Sequence, residues 1–141
     1  MKHTLMALII ATVISPLFAG DGLYMPTDAE RARWTMSDMV SWRICFSAYK
    51  LDHGKYPDVK SVGDAKAAFE PIYILHLPVT DAWGRPYAVA SDANAFTVAS
   101  AGADGTLDQP SWSLGGALKS FDDDAVATQD GHWLFRHWAM K

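Results

Sequence analysis

The sequence predicts an α+β fold: one long N-terminal helix followed by a small set of short antiparallel strands. Three observations predict it. Apolar residues between Thr27 and Leu51 recur at helical spacing. Tyr87-Ala88-Val89-Ala90 and Ala95-Phe96-Thr97-Val98-Ala99 are short β-compatible runs, the second alternating with period two. Between and around them stand turns rich in Asp, Gly, Pro and Asn.

The helix has a legible start and stop. Thr27-Asp28-Ala29-Glu30 fits a capping box, with Thr27 as N-cap and Glu30 three residues on. Val40, Ile44, Ala48 and Leu51 form one apolar stripe, and Met39, Trp42, Phe46 and Tyr49 form another. So wide an apolar arc predicts burial against a sheet and, in part, against something else. Gly54 suits the position just past the helix, and Pro57 follows it. A second, short helix is expected from Asp64 to about Glu70, opened by Ser61 and stopped by Pro71. Ile72 to Leu77 is a brief apolar run.

Asp81-Ala82-Trp83-Gly84-Arg85-Pro86 reads as a turn, because Gly accepts positive φ and Pro cannot donate to a central ladder. Asp92-Ala93-Asn94 is the hairpin turn. Ala101-Gly102-Ala103-Asp104-Gly105 leaves the hairpin with a carboxylate between two glycines. Further on, Ala125-Val126-Ala127 predicts a last short strand, and the aromatic tract from Gly131 to Trp138 an edge strand or clasp.

Two blocks carry a family resemblance. Tyr49, Asp52, Gly54, Tyr56 and Pro57 follow the pattern Y-x-x-D-x-G-x-Y-P. Asp81, Trp83, Gly84, Pro86, Tyr87, Ser100, Gly102, Asp104 and Gly105 follow D-x-W-G-x-P-Y, a strand, and S-x-G-x-D-G. Together they resemble the C-terminal domain of the major pseudopilin of type II secretion systems. The resemblance runs from about Tyr49 to Val126. It implies a pilin-like arrangement of the long helix on the sheet, with a calcium-type loop. It further implies a calcium site with side chains from Asp104, Asp123 and Asp124 and carbonyls from Ala101 and Leu107. Calcium takes six to eight oxygen ligands, which such a carboxylate-rich pair of loops is suited to supply. The competing reading of Asp122-Asp123-Asp124 is a solvated acidic turn.

Length and composition bound the rest. The 141 residues suit one domain with one modest core, and 50% are hydrophobic. The net charge of −4 comes without a basic block, which argues against a nucleic-acid partner. Residues 1–20 read as a signal peptide with the apolar stretch Leu5 to Phe18, the alternative being a short uncleaved inner-membrane anchor. The expected globular domain is 21–141, periplasmic or secreted, touching membrane only if residues 1–20 stay attached. A prepilin of the resembled family continues its apolar helix straight into the soluble domain. Here Gly20-Asp21-Gly22 and Pro26 interrupt, so the resemblance concerns the soluble domain.

Catalytic signals are lacking. No nucleophile elbow, P-loop or dinucleotide fingerprint occurs. The single cysteine, Cys45, reads as a small buried hydrophobe. His132 and His137 stand five apart, a spacing that diverges on helix and strand alike. Most of the six tryptophans are expected in the core. The expectation is a non-enzymatic, calcium-stabilised protein whose partners are proteins of a secretion or pilus apparatus; the alternative is a free periplasmic binding module on the same fold.

Overall fold

The computed structural model describes residues 23–107 and 120–133. Helix α1 spans Asp28–His53 and α2 spans Val62–Phe69; strands β1 (Ala88–Ser91), β2 (Phe96–Ser100), β3 (Ala125–Thr128) and β4 (Gly131–Trp133) follow. The strands form one antiparallel sheet in the order β1-β2-β3-β4. This is the α+β, pilin-like arrangement expected, with α1 laid across β2 and β3. The signal or anchor expected at residues 1–20 lies outside the described residues, as do Trp112, Trp138, His3 and His137.

Local chemistry sets both ends of α1. The Thr27 hydroxyl accepts from the Glu30 amide, and the Glu30 carboxylate accepts from the Thr27 amide at 2.8 Å, so the capping box is complete. At the other end Gly54 adopts φ 74° and donates to the Lys50 carbonyl at 2.8 Å. The helix runs two residues beyond Leu51, and α2 begins two residues before Asp64, with Ser61 accepting from the Asp64 amide. The hairpin turn between β1 and β2 closes on Asp92, whose Oδ1 accepts from the amides of Asn94 and Ala95. Those two bonds hold the Asp92 carboxyl below its ordinary range.

The core is an aromatic cluster between helix and sheet. Phe46 lies at its centre, stacked on Phe96 with ring centroids 4.3 Å apart and meeting Phe69 edge-on at 4.9 Å. Trp42 packs against Tyr87 and Phe69, and its indole N–H donates to the Pro78 carbonyl at 3.0 Å. Val89, Phe96 and Val98 meet the cluster from the hairpin, and Ala125 and Ala127 from β3. Alanines there let the helix approach the sheet closely.

The two apolar stripes of α1 part company. Met39, Trp42, Cys45 and Phe46 are buried. Val40, Ile44 and Leu51 are 45%, 58% and 87% exposed. Tryptophan likewise divides among the described residues: Trp42 is core, Trp83 is partly buried against it, and Trp34 is 48% exposed on α1. Trp34 cannot join the core because its position on the helix lies off the sheet-facing arc. The run from Ile72 to Leu77 forms no strand; Ile72 and Leu75 are exposed and Leu77 is buried.

Candidate functional site

Three loops meet at one end of the sheet: the turn Asp81–Pro86, the loop Ala101–Gly105 that leaves β2, and residues 120–124 that enter β3. Asp81 organises the first. Its Oδ1 accepts from the amides of Trp83 and Arg85, both at 3.0 Å, and its Oδ2 accepts from the Ser100 hydroxyl at 2.6 Å. Asp81 and Ser100 are both buried. A buried carboxylate with three donors is satisfied rather than reactive. Gly84 takes φ 83° in this turn, which is why a glycine stands there.

The turn is also tied to α1. The Arg31 guanidinium donates to the Ala82 carbonyl at 2.8 Å, the Ala82 amide to the Thr35 hydroxyl, and the Trp83 indole N–H to Asp28 at 3.0 Å. One turn further along the helix, Tyr87 donates to Asp38 at 3.1 Å. Burial raises the Asp38 carboxyl above its ordinary value, partly offset by that hydrogen bond. Burial, then the nearby Asp38 charge, pushes the Tyr87 hydroxyl well above the usual tyrosine range. Sequence reasoning passed over Arg31, Thr35 and Asp38 in this role. Their spacing with Asp28, three or four residues at each step, was the available signal.

Loops two and three pack backbone to backbone. The Ala103 amide donates to the Phe121 carbonyl at 2.7 Å. Gly102 has φ 63°, and a Cβ there would stand 2.6 Å from the Phe121 carbonyl oxygen and 2.7 Å from that of Asp123. The glycine-flanked loop and the residues leading into β3 therefore lie in direct contact.

The expected calcium ligands are placed as follows. Asp104 is exposed, and its Oδ1 accepts from the Thr106 amide at 2.8 Å. Asp123 Oδ2 accepts from the Ser120 amide at 3.0 Å. Asp124 is buried at the start of β3. The Ala101 carbonyl accepts from Gly105, and Leu107 is exposed. Among the described residues, no three carboxylate, histidine or cysteine side chains come together in a way that could hold a metal ion. The guanidinium of Arg85 lies on the same loop, donating to the Gly102 carbonyl at 2.6 Å and the Ala103 carbonyl at 2.9 Å.

Cys45 is buried, and burial pushes its thiol up to about 11, which disfavours the thiolate. No helix among the described residues is long and apolar enough to cross a membrane.

No curated relative matches the chain. The family model for protein G of the type II secretion system (T2SS) matches residues 23–111. That stretch, more than half of the chain, holds α1, α2, the Asp81 turn, the β1–β2 hairpin and the loop after it, and ends before the acidic run. With those elements in the arrangement just described, the chain belongs to the family of type II secretion system protein G, the non-enzymatic pseudopilins of secretion.

Proposed function

We propose that this chain works as an exported, pseudopilin-like subunit, by protein–protein contact in or near a type II secretion or pilus-like apparatus. The observation that carries the reading is the outward stripe of α1. Val40, Ile44 and Leu51 stand at i, i+4 and i+11 on one face, opposite the stripe that buries Met39, Trp42 and Phe46. Apolar residues repeated along one helix face at such exposure favour a protein partner. Ala48, Ser47 and Arg43 lie beside them and line a shallow groove of about 340 Å³. The partner is another subunit of the apparatus, and the compartment is the periplasm or the cell envelope. Residues 1–20 serve as a signal peptide or a short anchor.

The test is a photo-crosslinking amino acid placed at Ile44 in intact cells. Crosslinks to a subunit of the secretion apparatus, lost on Val40→Asp, support the reading. A crosslinked partner outside the apparatus, with secretion unchanged by Ile44→Asp, would favour a free periplasmic binding module on the same fold.

A further inference from the structure

We propose that the start of the domain is a lipid-facing seat: with residues 1–20 attached, Leu23, Tyr24, Met25 and Trp34 lie in the headgroup layer of a phospholipid bilayer. Leu23, Tyr24 and Met25 are 92%, 69% and 72% exposed, and Trp34 is 48% exposed. A run of three exposed side chains with large apolar bodies is unfavourable in water and marks a contact surface. The side-chain types fit a membrane surface. Tyrosine and tryptophan have an apolar body and a polar tip, and they concentrate where hydrocarbon meets water. Arg33 is exposed next to Trp34, and a guanidinium pairs well with phosphate.

The cap of α1 brings these groups to one end of the domain. The Tyr24 hydroxyl donates to the Glu30 carboxylate, and Trp34 stands four residues beyond Glu30 on the same helix face. Tyr24 and Trp34 therefore flank one side of the first turns. The Glu30 carboxylate also accepts from the Thr27 amide and hydroxyl, so its oxygens are occupied within the cap. What lies upstream names the occupant. Only Ala19 to Gly22 separate Leu23 from the apolar stretch Leu5 to Phe18. That stretch is shorter than the about 20 residues a helix needs to cross the hydrocarbon core. A short apolar segment settles more firmly when flanking residues take the interface. Leu23, Tyr24, Met25 and Trp34 stand where that is needed, whereas Leu51, at the other end of α1, lies about 25 Å beyond Trp34.

The experiment uses the full chain, residues 1–141, reconstituted in vesicles of zwitterionic phosphatidylcholine, because the net charge of −4 opposes anionic headgroups. A fluorophore is attached at Met25→Cys in one sample and at Leu51→Cys in another. Both positions are exposed, so neither substitution disturbs the core. Cys45 is buried with its thiol pushed up to about 11, so it does not compete for the label. With iodide on both sides of the membrane, quenching at position 25 should be several-fold weaker than at position 51. Lipid brominated near the top of its acyl chains should quench the label at 25 and spare the one at 51. Unlabelled Trp34→Phe should lose part of the tryptophan quenching that the same lipid causes in wild type. Equal iodide quenching at the two positions overturns the proposal, because residues 23–25 then stand in water whatever residues 1–20 do. Protection at 25 without quenching by brominated lipid overturns it too, since protein, such as a second copy of the chain, then covers the seat. Tryptophan quenching identical in wild type and Trp34→Phe overturns the place given to Trp34.

Discussion

The hydroxyl of Ser100 donates to Oδ2 of Asp81 at 2.6 Å, joining the end of β2 to the turn that precedes β1. Both residues are buried, and the same carboxylate receives the amides of Trp83 and Arg85. This bond explains why the D-x-W-G and S-x-G patterns occur together: each half supplies what the other would leave unsatisfied. Removing the carboxylate strands three donors, each costing about 1–3 kcal/mol when left unmade. Asp81→Ala is therefore expected to lower stability by roughly 3 kcal/mol or more. Ser100→Ala removes a single donor and should cost about 1–2 kcal/mol. Urea denaturation of both variants checks the order, and Ser100→Ala costing as much as Asp81→Ala would refute this account of the turn.

Gly102 and Gly84 both have positive φ, but their surroundings differ. Around Gly84 nothing lies within 4 Å of an added Cβ, whereas at Gly102 two carbonyl oxygens stand at 2.6 and 2.7 Å. Gly84→Ala should cost only the strain of the left-handed backbone, about 1 kcal/mol. Gly102→Ala adds a clash with rigid backbone, so the loop and residues 121–123 must separate. Its melting temperature should fall well below that of Gly84→Ala, and near-equal values would argue against the close packing of the two loops.

Phe46 is fully buried among four rings, stacking on Phe96 and Trp42 and meeting Phe69 and Tyr56 edge-on. Phe46→Ala opens a cavity lined by rings that cannot collapse into it. A loss of about 3–5 kcal/mol is expected, read by chemical denaturation.

Sequence reasoning reaches the features that local chemistry decides. Thr27 and Glu30 announce the start of α1 because capping satisfies amides three residues away, and Gly54 announces its end because that position needs a left-handed backbone. The hairpin is legible for the same reason: Asp92 closes its own turn. What is not legible is settled by contacts across the fold. Val40-Ile44-Leu51 and Met39-Trp42-Phe46 satisfy the helical period equally well, and only the sheet decides which one is buried. Asp104 looks like a metal ligand from its glycines and the later acidic run. That Arg85 holds the neighbouring carbonyls depends on a turn 17 residues earlier, and nothing in the local pattern announces it.

Asp38 gives the fold a pH dependence of definite sign. Burial raises its carboxyl above the ordinary value, with the Tyr87 hydrogen bond acting in the opposite direction. The folded chain then holds this proton to higher pH than the unfolded chain does. As pH rises through the window just above the ordinary aspartate value, about 4, the unfolded state gives up its proton first and stability falls. Asn keeps an acceptor for Tyr87 and removes the titration. The melting temperature of Asp38→Asn relative to wild type should therefore be higher at pH 7 than at pH 4. A difference that is constant or reversed across that range would show that burial does not dominate at this site.

The two faces of α1 should respond oppositely to the same substitution. Met39 is fully buried, and a carboxylate there has no partner among the apolar core, so Met39→Asp should prevent stable folding. Ile44 is 58% exposed and lies one turn from Val40 and two from Leu51 on the outward face. An Asp at Ile44 stays solvated, loses only a modest apolar contact and a little helix propensity, and should change stability by about 0.5 kcal/mol. Far-UV circular dichroism and urea denaturation of the two variants make the comparison. A large loss of stability for Ile44→Asp in the isolated chain would mean that the outward stripe is covered by the chain itself. A neutral result leaves Ile44→Asp as a folded variant in which loss of the crosslink reports the contact and nothing else.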